Sequence, residues 1–583
     1  MTKHNETKEK EKTKGTHDKI LHLARERFKI VHTAEQEIRS ASLEDLRFAY
    51  NVDEGQWDQQ TRDERIKDKR PCLTMNKLRK FLSVVANRER ENRVAVKAKP
   101  VDDQGDVEKA AIFEDLIRQI EYQSGADIIY AETGEQAAAG GFGYWRILTE
   151  FTQDSFDQDI FIRGIENPFS VFMDPRRQYC FIRDALTRAE FKAQYPDTPV
   201  IDWDQSGIGE EYTLWYETDK VYVVEYFVKE PVTRQLAQIR DGATKEVKIV
   251  EMKDGITADE LRKEGHEVIK TRSAKGHKVT WYKMTGHEII ESREWPGKEI
   301  PVVEVLGDKV NIAGKVYKRS LIRDGKDPQR MYNYWLTSET ERQALIPKAP
   351  FILEAQEISG YEEMWQEANT KTHPYLLYKS TGQRQRPKRE TAPAVSTGSM
   401  AMIQIAGNDI KDTLGMYESF IGEQSNERSG RAIKMRQQRG DLGTFHFPDN
   451  MSRAIVETGR ILIDIIPRIY DTERVLRLRN EEDAERFVTI NQTVFDKETQ
   501  KDVLINDLSV GKYDVQAGIR PYGTRREETV EMILQAMQYA PQIAPFIVDL
   551  LFKYVDSPGA AELKQRIEQF MESAAAQGGG AGG

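Results

Sequence analysis

Residues 1–19 alternate lysine and glutamate with no apolar period, which predicts a solvated, disordered tail. From Ile20 the apolar positions Leu23, Phe28, Val31 and Ile38 recur at helical spacing, and Leu43, Leu46 and Tyr50 form a second stripe. A third helix, over about 76–92, carries Leu78, Phe81, Leu82 and Val85. Residues 94–99 alternate as a short strand that Pro100 stops, and two helices follow over about 106–122 and 126–139. Gly140, Gly141 and Gly143 end the second of these and open a strand at 144–148. Residues 151–320 then alternate with a period of two between Pro, Gly and Asp turns, as at 220–227 and 278–282. This first region reads as α+β.

At Asp327 and Pro328 the character changes. Asp as N-cap and Pro at the first helical position start a helix that runs to about 345, before Pro347. Its first turns hold Met331, Tyr334 and Trp335, whereas 337–343 is entirely polar. A helix losing its apolar stripe midway is expected to leave a core. Residues 347–400 are loop-rich, with five prolines, and a helix returns to about 421. After the polar, glycine-punctuated stretch 422–443, a long helix from near Asp449 carries Met451, Ala454, Ile455, Ile461, Leu462, Ile465 and Ile469 on one stripe. Pro467 lies inside that pattern and predicts a kink, because it removes one backbone donor. Residues 472–522 are strand-rich, and the capping box at Thr524 to Glu527 starts a further helix. Two more helices are expected over about 544–555 and 560–575, then a flexible glycine-rich end.

At 583 residues the chain exceeds one ordinary core and predicts two to four regions. Its 8 Trp, 22 Phe and 23 Tyr are enough large anchors to build them, despite 31% charged residues. Cys72 and Cys180 belong to no CxxC pair and read as reduced thiols. No run approaches the roughly 18 apolar residues of a membrane span, and the N-terminus has no signal-like stretch. The net charge of −10 is opposite to that of a protein gripping nucleic acid over a broad surface. DNA contact is therefore expected only at local basic patches.

Catalytic and phosphate-binding signatures are missing from the sequence. None of the Gly-Lys pairs completes a GxxxxGK[ST] loop, and the glycines at 140–143 follow a helix and open a strand, the reverse of a dinucleotide-binding turn. The nine histidines show no metal spacing, and no GxSxG occurs. No enzyme activity, metal or cofactor is expected. Two basic segments remain. The first, 379–399, carries Lys379, Arg384, Arg386, Lys388 and Arg389; the second, 422–443, carries Arg428, Arg431, Lys434, Arg436 and Arg439. Each is either a solvated loop or a set of mobile cations placed to meet phosphates in passing.

Several stretches in one order resemble the portal proteins, or head-to-tail connectors, of short-tailed (podovirus-type) bacteriophages. They are 70–78 (RPCLTMNKL), 140–147 (GGFGYWRI), 167–175 (NPFSVFMDP), 192–197 (KAQYPD), 334–345 (YWLTSETERQAL), 429–433 (SGRAI), 439–450 (RGDLGTFHFPDN) and 458–475 (TGRILIDIIPRIYDTERV). The resemblance implies an α+β wing at 20–326, stem helices at 327–346 and 401–421, and a clip at 347–400 between them. It further implies a tunnel loop at 422–445, a kinked wing helix with wing strands at 446–522, and crown helices at 523–576. Residues 1–19 and 577–583 would be tails, and a long C-terminal barrel is not expected. By the same resemblance, the chain forms a homododecameric ring at one capsid vertex of the virion, assembled in the host cytoplasm. The ring would be a conduit for packaging and ejecting double-stranded viral DNA, which it touches transiently and without sequence preference. Its expected partners are the terminase large subunit, head-completion and tail adaptor proteins, and the major capsid and scaffolding proteins. The basic residues of 379–389 would meet docking partners, those of 428–439 the DNA. Two other readings are a head–tail adaptor, although adaptors are usually much shorter, and a packaging ATPase-nuclease, against which the missing phosphate loop speaks.

Overall fold

The computed structural model describes residues 2–91, 94–101, 106–152, 156–198, 215–217, 220–241, 247–252, 258–263, 265–345, 351–368, 370–380, 387–390, 397–415, 443, 445–479, 485–496, 501–519 and 524–539. The chain opens with α1 (Thr2–Tyr50), a single helix. It begins inside the segment expected to be a disordered tail. That segment has no apolar stripe, yet Glu and Lys are good helix formers, and the sequence sets Glu6/Lys10 and Glu9/Lys12 at supportive spacings. Farther along, Leu21, Ala24, Phe28 and Val31 are buried against Phe172, Phe181, Trp215 and Tyr226.

After α2 (Gln59–Lys67) and α3 (Leu78–Glu91) comes β1 (Val94–Pro100), then α4 (Val107–Ser124) and α5 (Ala126–Gly140). Asp106 caps α4 by accepting the Glu108 amide at 3.0 Å. The glycine-rich stretch that ends α5 is a turn, as its spacing predicts. Gly141 sits at φ 96°, and a Cβ on Gly143 would lie 2.7 Å from the Thr133 carbonyl. The chain then enters β2 (Phe142–Phe151) and β3 (Gln158–Gly164), which with β11 (Val302–Leu306) make a three-stranded antiparallel sheet in the order β11-β2-β3.

The largest sheet has seven strands. Its path runs β10 (Ile289–Trp295), β9 (His266–Met284), β7 (Lys220–Asp241), β5 (Tyr179–Thr187), β4 (Val171–Met173), and β6 (Tyr216–Glu217) and β8 (Val247–Met252) also pair with β7. The long β7–β9 ribbon is in register from Val224↔Met284 to Asp241↔His266, with one irregularity at Gln238/Ile239. Short helices α6 (Arg188–Gln194) and α7 (Ala258–Lys263) connect its strands. The hairpin β12 (Asp308–Ile312) and β13 (Lys315–Arg319) leads to a 3-10 turn at Arg323–Gly325 and then α8 (Lys326–Leu345). The helix thus starts one residue before the Asp327 expected as its cap.

Residues 347–400, read as loop, include a small ladder of β14 (Phe351–Ile352) and β15 (Lys388–Arg389), with α9 (Glu362–Gln366) between them. Phe351 packs edge-on against Trp365, whose Nε1 donates to the Leu377 carbonyl at 2.8 Å. Two residues per strand are too few to leave a periodicity in sequence. The returning helix α10 (Thr397–Thr413) begins earlier than its sequence pattern suggests and packs along α8.

The helix α11 (His446–Ile469) places Ile455, Ile461, Leu462 and Ile465 in the main core, together with Phe113, Leu116 and Ile117 of α4 and Trp145 and Ile147 of β2. It also lies on the pair formed by β1 and β20 (Tyr513–Ile519), joined from Val94↔Ile519 to Pro100↔Tyr513. Before β20 come the hairpins β16 (Arg474–Arg479) with β17 (Glu485–Ile490) and β18 (Gln492–Asp496) with β19 (Lys501–Ile505). The last described helix, α12 (Thr524–Tyr539), starts at the capping-box threonine. The helices expected at 544–555 and 560–575 lie outside the described residues. The mixture of helices and antiparallel strands is α+β, as the sequence implies.

Candidate functional site

The α8–α10 hairpin is rooted in charge. Asp45 of α1 is fully buried and accepts hydrogen bonds from Ser320 Oγ at 2.7 Å, Arg323 Nε at 2.8 Å and Lys326 Nζ at 2.9 Å. Lys326 also reaches Glu44 at 2.6 Å, and this hydrogen bond holds the Glu44 carboxyl below its ordinary value. A buried carboxylate with several charge-assisted donors is positioned far more firmly than a surface pair.

Of the polar stretch 337–343 expected to mark departure from a core, Thr337 and Glu339 are buried, and Thr337 continues a buried polar stripe that begins earlier on α8. Gln329, Asn333 and Thr337 stand four residues apart and are fully or almost fully buried. They grip the extended backbone of 73–77. The Lys77 amide donates to Gln329 Oε1 at 3.1 Å, the Met75 amide to Asn333 Oδ1 at 3.0 Å, and the Leu73 amide to Thr337 Oγ1 at 3.2 Å. In return Gln329 Nε2 donates to the Met75 carbonyl at 2.8 Å and Thr337 Oγ1 to that of Leu73 at 3.2 Å. Two strand residues advance about 6.6 Å and four helix residues about 6.0 Å, so alternate backbone groups meet successive turns. Glu341 continues the stripe by accepting from Arg65 at 3.0 Å and Arg70 at 2.7 Å. The Arg70 hydrogen bond is the main reason the Glu341 carboxyl sits below the usual carboxylate range. These clamping residues were missed in the sequence, although the 329/333/337/341 spacing was there to be read.

Near the base of the hairpin, Lys77 lies 3.9 Å over the Tyr332 ring, and Leu78, Ile410, Leu414 and Phe447 share one apolar cluster. The chain leaves α10 at Gly415 and is next described at Gly443. A Cβ on Gly443 would lie 2.7 Å from the Gly415 carbonyl oxygen, and Gly415 has φ 65°. Gly415 and Gly443 therefore lie against each other. Its basic residues Arg428, Arg431, Lys434, Arg436 and Arg439 lie outside the described residues.

In the first basic segment, the Lys379 amide donates to the Glu357 carbonyl at 2.7 Å, and Lys388 and Arg389 form β15. The Arg389 guanidinium lies 5.2 Å over the Phe351 ring. Arg384 and Arg386 lie outside the described residues. Pro467 stands in the last turn of α11, which continues through it to Ile469; the Tyr470 amide then donates to Ile466 at 2.9 Å.

A second, part-buried ionic cluster braces α1 against the sheets. Lys318 Nζ lies 2.6 Å from Glu304, 3.0 Å from Glu35 and 3.4 Å from the Tyr144 hydroxyl. Burial alone would lower the Lys318 value, but Glu304 and Glu35 outweigh it and hold it well above the ordinary one. Burial would likewise raise Glu304, and Lys318 outweighs that, leaving its carboxyl low.

Among the described residues no group of three His, Cys, Asp or Glu could hold a metal ion, and no helix is long and apolar enough to cross a membrane. The described residues thus form an α+β body that holds the α8–α10 pair by a buried clamp. The phage P22-like portal protein family matches residues 25–579. The chain is also similar to the portal protein of Acyrthosiphon pisum secondary endosymbiont phage 1, at 24% identity over 585 residues, covering 94% of this chain and 80% of that one. The chain belongs to the phage P22-like portal protein family. Membership makes it a phage portal protein, a structural component of the virion.

Proposed function

We propose that twelve copies close into a ring at one capsid vertex, through which double-stranded viral DNA is packaged and later ejected. The observation that supports this most is the α8–α10 pair, clamped at one end by Asp45 and along its length by 73–77. On this reading α8 and α10 are the stem, 347–400 the clip, 422–445 the tunnel loop and 523–576 the crown. The wing combines 20–326 with 446–522, and Pro467 directs the chain from the channel side into it. The clip, with Lys379, Arg384, Arg386, Lys388 and Arg389, docks the terminase large subunit and later the head-completion and tail adaptor proteins. Capsid and scaffolding proteins surround the wing.

Twelve copies at −10 each repel DNA overall, so contact is confined to the tunnel loop. There Arg428, Arg431, Lys434, Arg436 and Arg439 are offset by Glu423, Glu427 and Asp441. A modest net grip lets every sequence slide, since each phosphate contact that must be released adds to the barrier. Replacing the five basic residues with Ser should spare ring assembly and alter packaging completeness or DNA retention in complemented phage. Full packaging and normal retention with that variant would overturn the assignment.

A further inference from the structure

We infer that the outward face of α3 is a second phosphate-contacting surface, on the body of the protein beside the tunnel loop. This rests on the reading of 422–445 as the loop that meets DNA. The placement comes from the base of that loop. Leu414, the residue before Gly415, and Leu78, the first residue of α3, both pack on Gly325: a Cβ there would meet Leu78 Cδ2 at 3.1 Å and Leu414 Cδ2 at 3.2 Å. Gly415 and Gly443, the described residues on either side of that segment, thus lie near the start of α3.

From that point α3 presents Arg79, Lys80, Ser83, Asn87 and Arg90, all exposed, while Leu78, Phe81, Leu82 and Val85 face the core. In a chain with 96 acidic and 86 basic residues, the stretch from Arg79 to Asn87 contains no acid. Neither Arg79 nor Lys80 has an ion-pair partner among the described residues. Both stand in the first turn, where the helix dipole repels cations. Asn76 Oδ1 already accepts the Arg79 amide at 3.3 Å, so it is the side chains that remain for a ligand. From Arg79 to Arg90 the face runs about 17 Å at 1.5 Å per residue, with the Ser83 hydroxyl already donating to the Arg79 carbonyl at 3.0 Å. A DNA backbone is the anion of matching length, and a surface that reads only phosphates passes every sequence.

The test uses full-length rings and a random-sequence DNA duplex of about 30 base pairs, with affinity measured across a salt series. Replacing Arg79, Lys80 and Arg90 together with Ser should lower the slope of log K against log salt by about 0.9 for each phosphate no longer neutralised. The Arg79→Lys, Arg90→Lys variant should keep the wild-type slope, which a merely structural role for arginine would not guarantee. An unchanged slope in the Ser variant, with a reduced one in the five-residue loop variant, overturns this inference and leaves the loop reading standing. The reverse result sustains α3 and removes the loop; unchanged slopes in both remove the two together. If the triple variant does not form rings, Lys80→Gln alone supplies the same measurement with a single cation neutralised.

Discussion

Asn333 and Met75 are 258 residues apart in the chain, yet the Met75 amide donates to Asn333 Oδ1 at 3.0 Å inside the protein. Asn333 Nδ2 is used as well, donating to Gln56 Oε1 at 2.9 Å. Asn333, set among the apolar Met331, Tyr334 and Trp335, is therefore part of a lock on the backbone of 73–77.

Replacing Asn333 with Leu strands the Met75 backbone amide and the Gln56 side-chain Oε1 in a buried site. Each unsatisfied group costs about 1–3 kcal/mol. Urea unfolding should show a loss of about 2–6 kcal/mol for the two groups together, and hydrogen exchange at 73–77 should speed up more than elsewhere. Wild-type exchange at 73–77 would mean that the zipper does not hold the segment.

Gly459 marks the closest approach of α11 to the β1–β20 pair. A Cβ there would lie 2.6 Å from Val96 Cγ1 and 2.9 Å from Val515 Cγ1. Gly459→Ala should therefore destabilise by about 1–3 kcal/mol through overpacking, despite the better helix propensity of Ala. Adding Val96→Ala should recover part of the loss in thermal unfolding. A Gly459→Ala protein more stable than wild type would contradict the packing.

The Lys318–Glu304 pair sets a pH dependence. The Glu304 carboxyl is depressed, so its contribution is present above the unfolded value of about 4.3 and is lost as pH falls through the lowered one. Lys318 is raised, so its contribution is present below about 10.4 and lost only as pH rises through the raised value. Lys318→Met, which leaves Glu304 with only the Tyr144 hydroxyl and Glu35 with only Arg39, should cost about 1–3 kcal/mol near neutral pH. Glu304→Gln should be less stable than wild type at pH 7, and the gap should shrink toward pH 3. A gap that widens in acid would reverse the assignment.

Pro467 denies one donor to the carbonyl of Ile463 in the last turn of α11. An interior Pro costs a helix about 3 kcal/mol, so Pro467→Ala should favour the helix itself. The exit that follows is held by other bonds: Arg474 Nη2 donates to the Ile469 carbonyl at 2.8 Å, and Asn491 Nδ2 to that of Tyr470 at 2.8 Å. A helix that competes with this exit should lower ring yield in sedimentation. Normal yield with a raised melting temperature would show the proline to be incidental.

Apolar periodicity made α3, α4, α5 and α11 readable, because Leu78, Phe113, Tyr130 and Ile461 sit on stripes that face a core. The pairing of Val94 with Ile519 was not readable, since nothing local in either strand names a partner more than 400 residues away. The helical start of α1 was misread because a charged segment without a stripe looks unstructured even when nothing breaks the helix. At the site, composition alone exposed the basic segments around Arg384 and Arg436. The clamp stayed hidden because Gln329, Asn333 and Thr337 satisfy backbone groups rather than water, and hydrophobic pattern cannot tell those two fates apart.

Ring closure is the central claim, and particle symmetry tests it most directly. Electron microscopy of the purified full-length protein, with native mass determination on the same sample, should give closed rings with twelvefold averages. Their mass should be about 0.8 MDa, twelve times 67.2 kDa. A compact monomer persisting across a wide concentration range would contradict the account.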